Sequence, residues 1–177
     1  MGKRYSEIAV DPMWSFKLKN SFNSTEVVVE TCEGIKFFSP EEIAAVFLKD
    51  IKNKVEVFQN THLSEVVITF PALYDETQKQ ALLKAAKFAG WKIIYLIPEP
   101  IAAAFAYCDE VVLELDLNIL IFDLGGGTLD ISVVRTPQFF LHVLSFNGTE
   151  HCCNANPDEM VAKGAALYGC LLKCQYP

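Results

Sequence analysis

The chain has 177 residues, 51% of them apolar, and a formal net charge of −7. That length and composition allow one globular domain with a sizeable core. The acidic balance, with no basic cluster against it, argues against nucleic acid as a partner, and no 18-residue apolar run predicts a membrane span.

The opening Met1–Glu7 has no apolar run behind it, so no signal peptide is expected. The six cysteines (Cys32, Cys108, Cys152, Cys153, Cys170 and Cys174) then read as reduced thiols in a cytoplasmic protein. Cys152, Cys153, Cys170 and Cys174 with His151 fit no common zinc spacing. Trp14–Leu18 and Glu26–Thr31 alternate as strands do, and Glu33-Gly34 turns the chain into a further strand, Ile35–Phe38. Ser39-Pro40-Glu41-Glu42 is a helix start, with Ser39 as cap and Glu42 closing a capping box. Ile43, Val46, Phe47, Ile51, Val55 and Phe58 follow at helical spacing, which predicts a core-facing stripe.

Glu65–Phe70 is a β-branched strand stopped by Pro71. Asp75 and Gln78 form a second capping box for a helix with Leu82, Ala85 and Ala89 on its apolar edge and Gly90 as its stop. Lys92–Ile97 reads as the next strand, and strand, helix, strand is the unit of parallel sheets. Pro98-Glu99-Pro100 then lies where ligands gather in open α/β sheets, and it reads as a stiff turn carrying an acid. By itself Glu99 reads as a solvated loop carboxylate. Ile101–Tyr107 is a helix of small residues, and Cys108–Asn118 an acidic connector.

Ile119–Asp130 (ILIFDLGGGTLD) organises the rest. A buried-strand pattern ends at Asp123, and Gly125, Gly126 and Gly127 let the backbone turn with its amides free for a ligand. Thr128 adds a hydroxyl, Asp130 a second carboxylate, and Ile131–Val134 resumes a strand. Three glycines alone fit a plain hairpin. With Asp before and Thr-x-Asp after, they fit a turn that holds phosphate and, through water, Mg²⁺. No Gly-Lys-Ser/Thr follows, so the pattern is not a Walker loop. Phe139–Ser145 is expected as a return strand across Thr136-Pro137-Gln138, and Asn156–Glu159 caps a final helix with Val161, Ala165, Tyr168 and Leu172 on its apolar side.

IFDLGGGTLD resembles the second phosphate motif of the heat-shock protein 70 family, within the actin-like ATPase superfamily. Val66–Gln80 (VVITFPALYDETQKQ), Ile97–Tyr107 (IPEPIAAAFAY) and Asn156–Gly169 (NPDEMVAKGAALYG) resemble the same family in the same order. The resemblance implies an α/β fold: a partial actin-like ATPase (ribonuclease H-like) fold, parts of two lobes with mixed sheets and packing helices. Residues 1–117 would be a partial first lobe. Residues 118–177 would be a partial second lobe with the phosphate hairpin and an inter-lobe helix that packs on Ala102–Ala106.

It further implies ATP or ADP with Mg²⁺ as ligands, and co-chaperones or unfolded protein as partners. Asp123 would hold the Mg²⁺ water shell, and Gly125–Gly127 would present amides to phosphate. Thr128 would bond the γ-phosphate, Glu99 would place water, and Asp130 would stand nearby as a second carboxylate. Pro98 and Ile101 stand where the family has polar residues. Cys153 and Asn154 replace a glycine pair, and the sequence then jumps to the Asn156 stretch, which lies far downstream in the family. No first phosphate hairpin or catalytic Lys is matched. A truncated nucleotide-binding domain with weak or absent ATPase activity is therefore expected. The rival readings are a non-enzymatic interaction protein and a sugar or acetate kinase-like relative; IPEPIAAAFAY followed by DLGGGTLD favours the chaperone branch over the kinases.

Overall fold

Asp11 sets the start of the first sheet. Its carboxylate accepts from the Met13 amide at 2.8 Å and its carbonyl from the Trp14 amide at 3.1 Å, a local turn that keeps Trp14 out of a strand. Trp14 and Phe16 stack on each other instead, with ring centroids 5.1 Å apart. The strand expected at Trp14–Leu18 therefore begins later, as β1 (Lys17–Ser21). It pairs antiparallel with β2 (Ser24–Thr31), which pairs antiparallel with β3 (Gly34–Phe38). The β1–β2 turn places Phe22 and Asn23 at positive φ (50° and 64°), and the Asn20 carboxamide oxygen accepts from the Asn23 amide at 2.9 Å.

The computed structural model describes residues 1–110, 117–124, 128–136, 142–150 and 165–169. These fall into two compact units, Met1–Glu65 with Asp75–Ile94, and Val66–Tyr74 with Tyr95–Pro177.

In the first unit, helix α1 (Pro40–Gln59) starts as its sequence requires: Ser39 Oγ accepts from the Glu42 amide and Glu42 returns a carboxylate to the Ser39 amide. Asn60, left-handed at φ 49°, ends it. The predicted core stripe is corrected here. Val46, Phe47, Ile51 and Phe58 are exposed, and the buried residue of the helix is Ala45. Lys52 accounts for the rotation. Its ammonium donates to the Gly90 carbonyl at 2.7 Å and lies 4.9 Å from the centre of the Trp91 ring, which turns the side opposite the apolar stripe toward the end of the next helix. That helix, α2 (Glu76–Phe88), has the predicted box between Asp75 and Gln78, buries Ala81, Leu82, Ala85 and Ala86, and gives way to Gly90 at φ 85°.

The second unit carries the strand ends of interest. β4 (Glu65–Phe70) neighbours β5 (Ile93–Pro98) in a two-stranded sheet. Helix α3 (Glu99–Glu110) follows without a linking residue, so the stiff turn expected at Pro98–Pro100 is instead a direct strand-to-helix junction. The helix also absorbs Cys108–Glu110 of the expected connector. β6 (Leu117–Leu124), β7 (Thr128–Thr136) and β8 (His142–Glu150) form an antiparallel sheet in that order. β8 extends beyond the Phe139–Ser145 strand expected, and its predicted start, Phe139–Leu141, lies outside the described residues with Pro137 and Gln138.

One side of the β6–β7–β8 sheet packs on helices. Val134 joins Ile97, Ile101, Ala102, Ala104 and Ala165 in the core, with Val67, Phe105, Ile121 and Tyr168 packed against it. Ala165 and Tyr168 belong to a helical segment at 165–169, and the Tyr168 ring lies 5.7 Å from that of Phe105. The expected packing of this segment on the alanines of α3 is thus observed. Small side chains are what allow it, since Ala102, Ala104 and Ala106 are all wholly buried. The architecture is a mixed α/β arrangement of sheets and packing helices. Among the described residues, no helix is long and apolar enough to cross a membrane.

Candidate phosphate and cation site

The antiparallel register of β6 and β7 assembles the site. It sets Ile119 opposite Val134, Ile121 opposite Ser132, and Asp123 opposite Asp130. Directly paired residues project from the same face, with Cβ atoms about 5 Å apart. The face that packs Val134 and the partly buried Ile121 against α3 therefore ends, at the close of β6 and the start of β7, in two carboxylates side by side. Both aspartates are half-buried.

Like charges directly opposite in a sheet oppose folding. Burial also pushes the Asp130 carboxyl above the ordinary aspartate value, because desolvation penalises its charged form. A cation between the two carboxylates would relieve both effects. Among the described residues no three His, Cys, Asp or Glu side chains converge as a full metal cage. Two carboxylates that leave the other positions to water and phosphate match the habits of Mg²⁺.

Thr128 opens β7, two residues before Asp130, with Glu150 as its strand partner. Gly125, Gly126 and Gly127 lie outside the described residues, as do His151, Cys152, Cys153, Cys170, Cys174 and the Asn156–Glu159 cap. Glu99 is the first residue of α3, where the helix dipole favours a carboxylate, and it belongs to the same compact unit as the aspartate pair.

Two further polar residues that the sequence did not single out lie in the same compact unit. Tyr74 is half-buried beside Phe70 (ring centroids 6.4 Å), and its amide donates to the Pro71 carbonyl at 2.9 Å. Burial first, then the charge of Glu99, raises its hydroxyl above the usual tyrosine value. The available signal was the Pro71-to-Asp75 turn, which fixes Tyr74 next to a strand end. Ser132 is almost fully buried on the aspartate face, paired with Ile121. Strand alternation from Asp130 could have located it.

A sequence model described as Hsp70 protein matches residues 1–154, which covers every strand from β1 to β8. The heat shock 70 kDa proteins of Emericella nidulans and Neurospora crassa are each 34% identical over 154 residues, 85% of this chain. The same alignments cover 24% of each of those proteins, so the chain spans about a quarter of the length of these curated relatives. The Asn156–Gly169 stretch lies beyond the residues that the family model matches.

Proposed function

The chain belongs to the Hsp70 protein family, and on that premise we propose that it is part of a chaperone nucleotide-binding domain that holds the phosphates of ATP or ADP with Mg²⁺ at the β6–β7 turn. The observation that carries this reading is the Asp123–Asp130 pairing across a three-glycine connection. In it, Asp123 and Asp130 hold the hydrated ion and Gly125–Gly127 offer amides to phosphate. Thr128 bonds the terminal phosphate, and Glu99 orients water. Mg²⁺ would supply neutralisation of phosphate charge. Phosphoryl transfer depends on positioning and on charge neutralisation around the phosphates. The groups named here all come from one hairpin and one helix start, so the 177-residue polypeptide taken by itself binds nucleotide weakly and hydrolyses ATP little or not at all. By ancestry, residues 1–117 fall to the first lobe and 118–177 to the second, a division that cuts across the two compact units. A cytoplasmic location fits the free thiols Cys32 and Cys108.

Calorimetric titration with MgADP and MgGDP tests the reading. Weak, Mg²⁺-dependent binding with little preference between the bases is expected, and its loss in Asp123→Asn. No binding of either nucleotide, or binding indifferent to Asp123, would contradict it.

A second reading, a non-enzymatic module that engages co-chaperones or unfolded polypeptide, is favoured by Leu120, Phe122 and Leu144, which are exposed on the β6–β7–β8 sheet. Under that reading, capture of a reduced, unfolded client survives Asp123→Asn and fails in Phe122→Asp.

A further inference from the structure

The exposed side of α1 combines two properties that point to the same occupant. Val46, Phe47, Ile51, Val57 and Phe58 all keep more than half of their surface in water, from 55% at Ile51 to 89% at Phe58. At 3.6 residues per turn they share one stripe with Asp50 and Lys54, which are themselves ion-paired at 2.7 Å. Along the helix the stripe reads apolar, acid, Ile51, base, apolar. This order is symmetric in hydropathy and antisymmetric in charge.

We propose that this side of α1 is the contact surface for a second copy of the chain, joined as an antiparallel helix pair about a two-fold axis. The antiparallel alignment that sets Val46 against Phe58 and Phe47 against Val57 also sets Asp50 of each copy against Lys54 of the other. A parallel pair would set Asp50 on Asp50 and Lys54 on Lys54, which costs what the antiparallel pair gains. A shift of one helical turn would press an apolar ring onto the charged centre. The four charges then form a cluster at the middle of the contact, a device that fixes register, while the rings at either side supply the buried area. The same stripe on both partners is what a two-fold contact demands.

The orientation of α1 is set independently of any partner. Lys52 lies on the opposite side of the helix, tied to the Gly90 carbonyl and held near the Trp91 ring. Twenty residues give a helix about 30 Å long. A single helix pair of that length is smaller than a standard interface of about 800 Å² per partner. The association is therefore concentration-dependent rather than obligate.

Sedimentation of the full chain into the high-micromolar range, with and without charge exchange, decides it. The unaltered chain is expected to pass from monomer to dimer. Asp50→Lys and Lys54→Asp should each raise the dimer dissociation constant about tenfold or more, by opposing like charges. The double exchange, Asp50→Lys with Lys54→Asp, should restore it. Both positions are solvent-exposed, so circular dichroism should show unaltered folding in all variants. A chain that stays monomeric overturns the proposal. So does dimerisation that ignores Ile51→Lys or fails to return in the double exchange, either of which would place the contact elsewhere, for instance on Leu120 and Phe122.

Discussion

Asp130 is set beside Asp123 by strand register, and the consequence is measurable in either direction. Its carboxyl is raised by burial, so its contribution to stability is fully present below the unfolded value and is lost as pH rises through the folded one. At neutral pH without Mg²⁺, Asp130→Asn should therefore stabilise the chain. An increment of about 0.5 kcal/mol is expected, low in the range for cross-strand pairs because both carboxylates keep contact with water. Thermal melts should show a small rise in Tm for Asp130→Asn in chelator, and a rise with added Mg²⁺ for the unaltered chain that the variant lacks. Glu42 behaves in the opposite sense. The Ser39 backbone amide first, then its hydroxyl, holds that carboxyl below its ordinary value. The stability it confers is present above the unfolded value and fades as pH falls through the lowered one.

Between elements, the contrast of α1 with α2 separates what the sequence made readable from what it did not. Both capping boxes were legible, because Ser39 with Glu42 and Asp75 with Gln78 are complete within four residues. The core face of α2 was legible too, since the expected apolar edge of Leu82, Ala85 and Ala89 is buried, with Ala81 and Ala86 beside it. In α1 periodicity found a stripe but not its direction. The helix is turned by Lys52, a residue that periodicity scores as polar and outward. The Pro98-Glu99-Pro100 run misled for another reason: proline is tolerated in the first turn of a helix, so two prolines around an acid do not exclude a helix start.

Two changes test this level. Ser39→Ala should cost about 1 kcal/mol by leaving the first-turn amides uncapped, read from denaturant midpoints at constant m. Ala104→Leu, which forces bulk between α3 and the core around Val134 and Ala165, should cost about 1–3 kcal/mol. A neutral outcome for Ala104→Leu would mean the interface is looser than its buried alanines imply.

At the scale of the molecule, the family was legible because three of the four motifs, in order, lie within the residues that the family model matches, and the β6–β7 pairing turned one of them into geometry. The face-to-face placement of Asp123 and Asp130 was not legible, since it depends on strand register, and the involvement of Tyr74 with Glu99 depends on the junction of β5 and α3. For the polypeptide as a whole, phosphate release from ATP should match an Asp123→Asn blank, and Glu99→Gln or Thr128→Ala should change it little. Charge stabilisation and orientation from a single hairpin leave the transferring phosphate mobile and wet.

The central claim is that phosphate and a divalent ion meet at the β6–β7 turn. Replacing Mg²⁺ with Mn²⁺ in the ADP complex and recording amide resonances of the isotope-labelled chain tests it most directly. Paramagnetic broadening should centre on Asp123, Thr128 and Asp130, require ADP for full effect, and vanish in Asp123→Asn. Broadening that spares these residues, or that persists unchanged in Asp123→Asn, would contradict the account.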